Sequence, residues 1–199
     1  MQRAPVLSDD IAIASALTAV GELLAADGEA YAIVVIGGAA LNLMGIVRRA
    51  TRDVDVLAWR KGDTIIRPPE PLPAPLRRAI VAVAQRFGLQ QDWLNTVPAL
   101  QWNAGLPPGL ADRIHWCDYA ALSVGLADRY DLIFLKAFAA AEGGPHESHY
   151  KDLLALRPTS EELESAISWV RTQDESPHFP AMIENMRRHL ARDLPANAE

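Results

Sequence analysis

The stretch that decides the fold runs from Ile33 to Leu57 and reads IVVIGGAALNLMGIVRRATRDVDVL. It opens on an unbroken segment of β-branched residues, which is typical of a buried strand. Two glycines then lead into a short apolar segment that ends at a third glycine, and this pattern indicates a short helix. The last residues alternate between acid and apolar side chains, which indicates a second strand.

The second strand carries two carboxylates on one face. Asp53 and Asp55 are two residues apart, and side chains at i and i+2 of a strand point the same way. Burying two like charges without compensation is costly. A divalent cation between them removes the repulsion, because Mg²⁺ is typically held by one or two protein carboxylates together with substrate phosphates. The pair therefore predicts a Mg²⁺ (or Mn²⁺) site.

The glycine pair that precedes the short helix fits the same chemistry. Because Gly37 and Gly38 lack Cβ atoms, the backbone there can approach a phosphate closely, and the first amides of a helix favour an anion. The order of these segments along the chain therefore predicts a phosphate-binding turn, followed by a metal-binding pair of carboxylates on the neighbouring strand. A second interpretation stays open, in which the glycines form only a tight turn and the acids lie on a solvated sheet edge.

The flanking sequence predicts a mixed α/β chain of the α+β class. A helix is expected from Ser8, as its N-cap, to Gly28, and another begins with the prolines near residue 75. Residues 61–75 are rich in proline and charge and predict an exposed loop. After one further strand near residues 121–127, the sequence indicates only helices. We expect a core over residues 1–127 with a small mixed sheet and flanking helices, and a helical region over 128–199 packed on it.

Composition limits the classes of function. Half of the 199 residues are hydrophobic, which is enough to bury a real core. The formal net charge of −6 argues against a broadly basic surface that coats nucleic acid. Cys117 is the single cysteine, so an intrachain disulfide or a cysteine-based zinc site is excluded. No apolar run has the length of a membrane span. We therefore expect a cytoplasmic protein that makes no membrane contact.

The central stretch resembles a known signature. GGAALNLMG followed by RRATRDVDVL is similar to the DNA polymerase β nucleotidyltransferase superfamily, with Gly-Gly or Gly-Ser, a short helix and Asp-x-Asp on the next strand. The spacing from Arg49 through Thr51 to Asp53 and Asp55 resembles the minimal nucleotidyltransferases related to AbiEii-type abortive-infection toxins. A second block, ADRYDLIFLKAFAAAEGGPHESHYKDLLAL, resembles the later element of that family, a helix with a central lysine followed by D-x-x-x-L.

The resemblance implies a nucleotidyltransferase core and assigns roles to seven residues. The catalytic residues would be Asp53, Asp55, Lys136 and Asp152, the metal ligands Asp53 and Asp55, and the nucleotide-binding residues Gly37, Gly38 and Thr51. Arg49 is predicted to bind nucleotide from the residues themselves, because an arginine close to Asp53 would balance phosphate charge. A solvated arginine that compensates the aspartates is the alternative.

Lys136 draws attention independently of the resemblance. On its helix it lies in line with Leu132 and Ala140, so it projects from an apolar stripe. The alternative is a snorkelling lysine whose stem packs while its ammonium group reaches water. Asp152 also has an alternative explanation, since the helix dipole favours an acid near the start of a helix.

The superfamily commonly uses a third carboxylate, on a later strand, to activate the attacking hydroxyl. Asp92 and Asp152 are the candidates in this chain. The segment that contains Asp92 is also explained as a loop anchored by a buried Trp93, and we favour that explanation.

The resemblance implies transfer of a nucleoside monophosphate from an NTP to tRNA, a protein or a small molecule. A toxin of a toxin–antitoxin or phage-defence system, with an antitoxin protein as partner, would fit that family. Two other interpretations stay open: a catalytically degenerate fold that binds nucleotide or protein, and a structural domain whose acid strand is solvated.

Overall fold

The computed structural model describes residues 6–194, so the outermost ends of the two expected domains, residues 1–5 and 195–199, lie outside the described part. The described residues form two compact units. The first contains residues 6–102 and 111–127, and the second contains residues 103–110 and 128–194. Strands and helices share the first unit, whereas the second is helical. The expected α+β class is therefore confirmed.

The six strands of the described chain belong to one mixed sheet. They are β1 (Tyr31–Ile36), β2 (Val54–Lys61), β3 (Thr64–Ile66), β4 (Leu94–Asn95), β5 (His115–Tyr119) and β6 (Leu122–Leu126). The strand order is β3-β2-β1-β6-β5, and β4 pairs with the beginning of β2. The pairs β1–β6 and β2–β4 are parallel, and the other pairs are antiparallel.

Three strands, β3, β4 and β5, are not among those expected from the sequence. The loop expected over residues 61–75 is wrong in its first part, because β2 continues to Lys61 and β3 pairs back onto it. Gly62, with a φ of 61°, provides the left-handed backbone that this tight connection requires. Strand β5 was also not expected, since it is a sheet-edge strand with largely exposed side chains and shows no clean apolar alternation.

Helices α1 (Asp10–Ala26), α2 (Gly37–Leu43) and α3 (Ala74–Phe87) belong to the first unit. The N-cap of α1 is Asp9 and not Ser8, because the extended backbone at Asp9 lets its carboxylate accept a hydrogen bond from the amide of Ala12, at 2.9 Å. At Gly21, α1 lies directly against the backbone of Tyr119, where a Cβ atom would collide with the carbonyl oxygen. This close approach packs α1 onto the β5–β6 hairpin.

The second unit contains α4 (Arg129–Gly143), α5 (Ser148–Leu156), α6 (Ser160–Val170) and α7 (Phe179–Asp193). Side chains cap two of these helices: Asp128 accepts from the amide of Tyr130 at the start of α4, and Thr159 and Glu162 form a capping box at the start of α6. Aromatic rings join the helices, since Phe138 of α4 contacts both Trp169 and Phe179 edge to face. Among residues 6–194, no helix is long and apolar enough to cross a membrane.

Candidate functional site

A cleft of about 310 Å³ opens in the first unit, where β2 begins beside β4. Both carboxylates of the acid pair line it, together with an arginine, a further acid and two amides. The lining residues are Arg52, Asp53, Asp55, Gln90, Asp92, Trp93, Asn95 and Val97. The strand that places Asp55 at this cleft begins one residue after Asp53. The acids of the central stretch therefore meet in one concave site.

The glycine turn lies against the acid strand because of the sheet register. Ile36, the last residue of β1, is opposite Asp55 of β2, so Gly37 follows directly beside the carboxylate. Gly37 has a φ of 73°, a backbone conformation that strongly favours glycine. A Cβ atom at this position would also overlap the Oδ2 atom of Asp55. Residue 37 is therefore restricted to glycine by its backbone and by its neighbour.

Gly38 is packed against the two other predicted nucleotide-binding residues. A Cβ atom on Gly38 would lie 3.0 Å from Thr51 Oγ1 and 3.1 Å from Arg49 Nη2. Thr51 is buried, and its hydroxyl donates a hydrogen bond to the carbonyl oxygen of Asp53, at 3.2 Å. Its backbone amide and carbonyl are both bonded to Leu7, at 2.9 Å each. Thr51 therefore fixes the backbone at the entry to the acid strand.

Asn42 is a residue of this site that the sequence analysis did not single out. It is buried within α2, where its Nδ2 donates to the carbonyl oxygen of Gly38 at 2.9 Å and its Oδ1 accepts from the amide of Arg49 at 3.2 Å. A buried side-chain amide with both ends bonded holds two segments in register. The sequence feature that could have identified Asn42 is an asparagine in an otherwise apolar helix, four residues after a glycine.

The segment that contains Asp92 is anchored by Trp93, as expected. The indole of Trp93 is fully buried and donates to the carbonyl oxygen of Ile80, at 3.1 Å. On one side of this anchor, Asp92 is exposed at the wall of the cleft. On the other side, Asn95 donates from Nδ2 to Asp55 Oδ1, at 3.4 Å. Sequence reasoning missed Asn95, because a two-residue strand is too short to show periodicity.

The donor set in the cleft is compatible with a divalent metal that a nucleotide helps to bind. Within residues 6–194, no group of three or more His, Cys, Asp or Glu side chains is arranged to hold a metal ion. Mg²⁺ needs only one or two protein carboxylates when phosphates and water complete its octahedron. Asp53 and Asp55 satisfy that requirement, and the backbone of Gly37 lies directly against the Asp55 carboxylate.

Lys136 and Asp152 belong to the second unit, where they form a buried ion pair. The Nζ of Lys136 is 2.8 Å from Asp152 Oδ2 and 3.4 Å from His149 Nδ1. The two side chains are 6% and 2% exposed, so Lys136 does not snorkel to water as the alternative interpretation expected. The pair joins α4 to α5. The sequence indicates each of these residues separately, and the structure shows that they are paired.

The mixed sheet, the glycine turn and the Asp-x-Asp strand together define a nucleotidyltransferase-type protein. A family model described as "Nucleotidyltransferase of unknown function (DUF6036)" matches residues 15–143, which is more than half of the chain. The matched range includes the glycine turn, the acid strand and the helix of Lys136. The chain belongs to this family. No curated protein and no solved structure matches it.

Proposed function

We propose that this protein transfers a nucleoside monophosphate from an NTP to an acceptor and releases pyrophosphate, in a reaction that requires Mg²⁺ or Mn²⁺. The observation that carries the proposal is the packing of Gly37 against Asp55 at the edge of the cleft. Membership of a nucleotidyltransferase family supports nucleotide transfer in general. The proposal goes further by assigning roles to the residues of the cleft.

Asp53 and Asp55 would hold the cation, which supplies charge neutralisation and polarisation at the phosphates when it is bound. Gly37 and Gly38 would let the triphosphate approach the backbone, whose first-turn amides have no acceptor within the helix. Arg49 lies against Gly38, so its guanidinium is suitably located to meet phosphate charge. Thr51 would support both groups, because it contacts Gly38 and bonds to the backbone of Asp53.

The transfer exchanges one phosphorus–oxygen bond for another. The acceptor oxygen forms a bond to the α-phosphorus, and the bond from that phosphorus to the α,β-bridging oxygen breaks, so pyrophosphate leaves. The acceptor proton needs a base. Of the two carboxylates considered for that role, Asp92 is exposed at the wall of this cleft, whereas Asp152 is buried in an ion pair. We therefore favour Asp92 as the general base.

Lys136 and Asp152 stay predicted catalytic residues on the strength of the resemblance. Lys136 would offset negative charge that develops on the phosphates. The buried ion pair also gives both residues a structural purpose, because a charge buried without its partner is strongly destabilising. Loss of activity in a Lys136 variant therefore counts as evidence for catalysis only when the variant is folded.

The resemblance to AbiEii-type toxins suggests the biological setting. The acceptor classes it suggests are tRNA, protein and small molecules, and the setting is a toxin of a toxin–antitoxin or phage-defence system held in check by an antitoxin protein. A second candidate function is a degenerate fold that binds nucleotide or protein without transfer. The observation that favours it is the neutral Asn95 on the strand next to Asp55.

Incubation of the full chain with [α-³²P]NTPs, Mg²⁺ and cell lysate tests the proposal. We expect label transfer by the unaltered protein and no transfer by Asp55→Ala. Asp63→Ala is the matched control, because Asp63 is an exposed acid on the connection between β2 and β3. Transfer that survives Asp55→Ala would rule out the proposed mechanism. Nucleotide binding by the unaltered protein without any transfer would favour the degenerate binding fold.

A further inference from the structure

We propose that Asn95 is a positioning residue for the Asp55 carboxylate. Because Asn95 is neutral, Asp53 and Asp55 are the two protein carboxylates that hold the cation, and the nucleotide phosphates supply the other negatively charged ligands. This inference rests on the proposed function. It concerns a residue of β4 that neither the motif nor the family resemblance identified.

The sheet register places the two side chains next to each other. Strand β4 pairs in parallel with β2, with Leu94 opposite Val54 and Asn95 opposite Asp55. Residues that are opposite each other in adjacent strands project from the same face of the sheet. Asn95 is therefore adjacent to Asp55 because of backbone pairing, and it lines the same cleft.

The orientation of the Asn95 carboxamide follows from its second hydrogen bond. The backbone amide of Val97 donates to Asn95 Oδ1, at 3.0 Å. An asparagine whose oxygen accepts that bond presents its NH₂ group in the other direction. In this structure the NH₂ group faces Asp55 Oδ1, at 3.4 Å. The Val97 bond thus fixes which end of Asn95 meets the carboxylate.

The other oxygen of the same carboxylate is located by the glycine turn. Asp55 Oδ2 lies where a Cβ atom on Gly37 would be. The carboxylate is therefore held between a hydrogen-bond donor at Oδ1 and a backbone without a side chain at Oδ2. Partners of this kind orient metal ligands and are typically worth about 10- to 100-fold in metal affinity.

A neutral donor at this position has a different effect from a third carboxylate. A carboxylate next to Asp55 would repel it in the absence of a cation, whereas the carboxamide attracts it. The site is thereby organised before a cation arrives. The protein then supplies fewer anionic ligands than it would with a carboxylate at position 95, so phosphates must complete the coordination of the cation. The cation is therefore expected to bind more tightly in the presence of nucleotide than in its absence.

The inference is tested by titrating the full chain with Mn²⁺ in the absence of nucleotide. The amount of unbound Mn²⁺ is measured from its EPR signal. Asn95→Ala removes the donor, and we expect its Mn²⁺ affinity to fall about 10-fold or more. Gln91→Ala is the matched control, because it removes an exposed amide side chain from the same segment. Circular dichroism and the melting temperature without metal verify that each variant is folded.

Asn95→Asp provides an independent test, since it replaces the neutral donor beside Asp55 with a carboxylate. We expect this variant to melt at a lower temperature than the unaltered protein in EDTA and to bind Mn²⁺ more tightly. If Asn95→Ala binds Mn²⁺ as well as the unaltered protein, or if Asn95→Asp binds no more tightly than Asn95→Ala, the role of Asn95 is refuted while the metal site stands. If Mn²⁺ binds to the unaltered protein neither alone nor together with a non-hydrolysable NTP analogue, the proposed metal site fails as well.

Discussion

The Oδ2 atom of Asp55 takes up the space that a Cβ atom on residue 37 would need. This relationship joins the two halves of the sequence signature, because the pairing of β1 with β2 places the glycine turn beside the acid strand. It also gives the glycine a purpose besides phosphate contact. A side chain at this position would displace a predicted metal ligand.

Gly37→Ala should therefore lose metal binding as well as stability. The positive φ alone is expected to cost about 1–2 kcal/mol in the free energy of unfolding. Gly28→Ala is a matched control, because Gly28 has nearly the same φ, 72° against 73°, and an added Cβ there would meet no atom within 4 Å. We expect both variants to be destabilised in urea titrations, but only Gly37→Ala to bind Mn²⁺ weakly. Equal Mn²⁺ affinities in the two variants would contradict the claim.

Lys136→Met should be strongly destabilising, because it leaves the buried Asp152 carboxylate without its ion-pair partner. A broken buried pair typically costs about 3–5 kcal/mol, and Lys136 and Asp152 are both almost fully buried. The double variant Lys136→Met/Asp152→Leu removes both charges, so its unfolding free energy should be higher than that of the single variant. A loss below about 1 kcal/mol in the single variant would show that the pair is not buried as described.

The same double variant separates a structural role from a catalytic one. If Lys136 and Asp152 act in nucleotide transfer, the double variant should regain stability and still transfer no label. If it regains stability and transfers label as well as the unaltered protein, the catalytic prediction for these two residues is wrong.

The Arg129–Glu162 pair predicts how stability depends on pH. The hydrogen bond from the Arg129 guanidinium lowers the pKa of Glu162, so the folded pKa is below the unfolded value. The stabilisation by this pair is therefore fully present above the unfolded glutamate pKa, about 4.3, and is lost as the pH falls through the folded pKa. Glu162→Gln can keep the capping box but not the charge. Urea titrations between pH 3 and 6 should show a shallower pH dependence for Glu162→Gln, and identical slopes would contradict this.

Local sequence patterns were enough to predict the central stretch. Strand β1, the short helix α2 and the acids of β2 each have a periodicity or a glycine that indicates the element. The acid pair could be recognised from spacing alone, since i and i+2 on a strand share a face.

The residues that complete the site could not be predicted in this way. Asn95 meets Asp55 through a strand pairing that spans forty residues of sequence, and no local pattern encodes that register. Asn42 is identified only by its two hydrogen-bond partners, which depend on the fold of the Arg49 loop. The pairing of Lys136 with Asp152 likewise needs the packing of α4 against α5.

The most direct test of the central claim is a crystal structure of the full chain grown with Mn²⁺ and a non-hydrolysable NTP analogue, with anomalous diffraction measured at the manganese edge. The account predicts an anomalous peak within bonding distance of Asp53 and Asp55, with the triphosphate against Gly37 and Gly38. A nucleotide bound elsewhere, or a manganese peak that neither aspartate contacts, would contradict it.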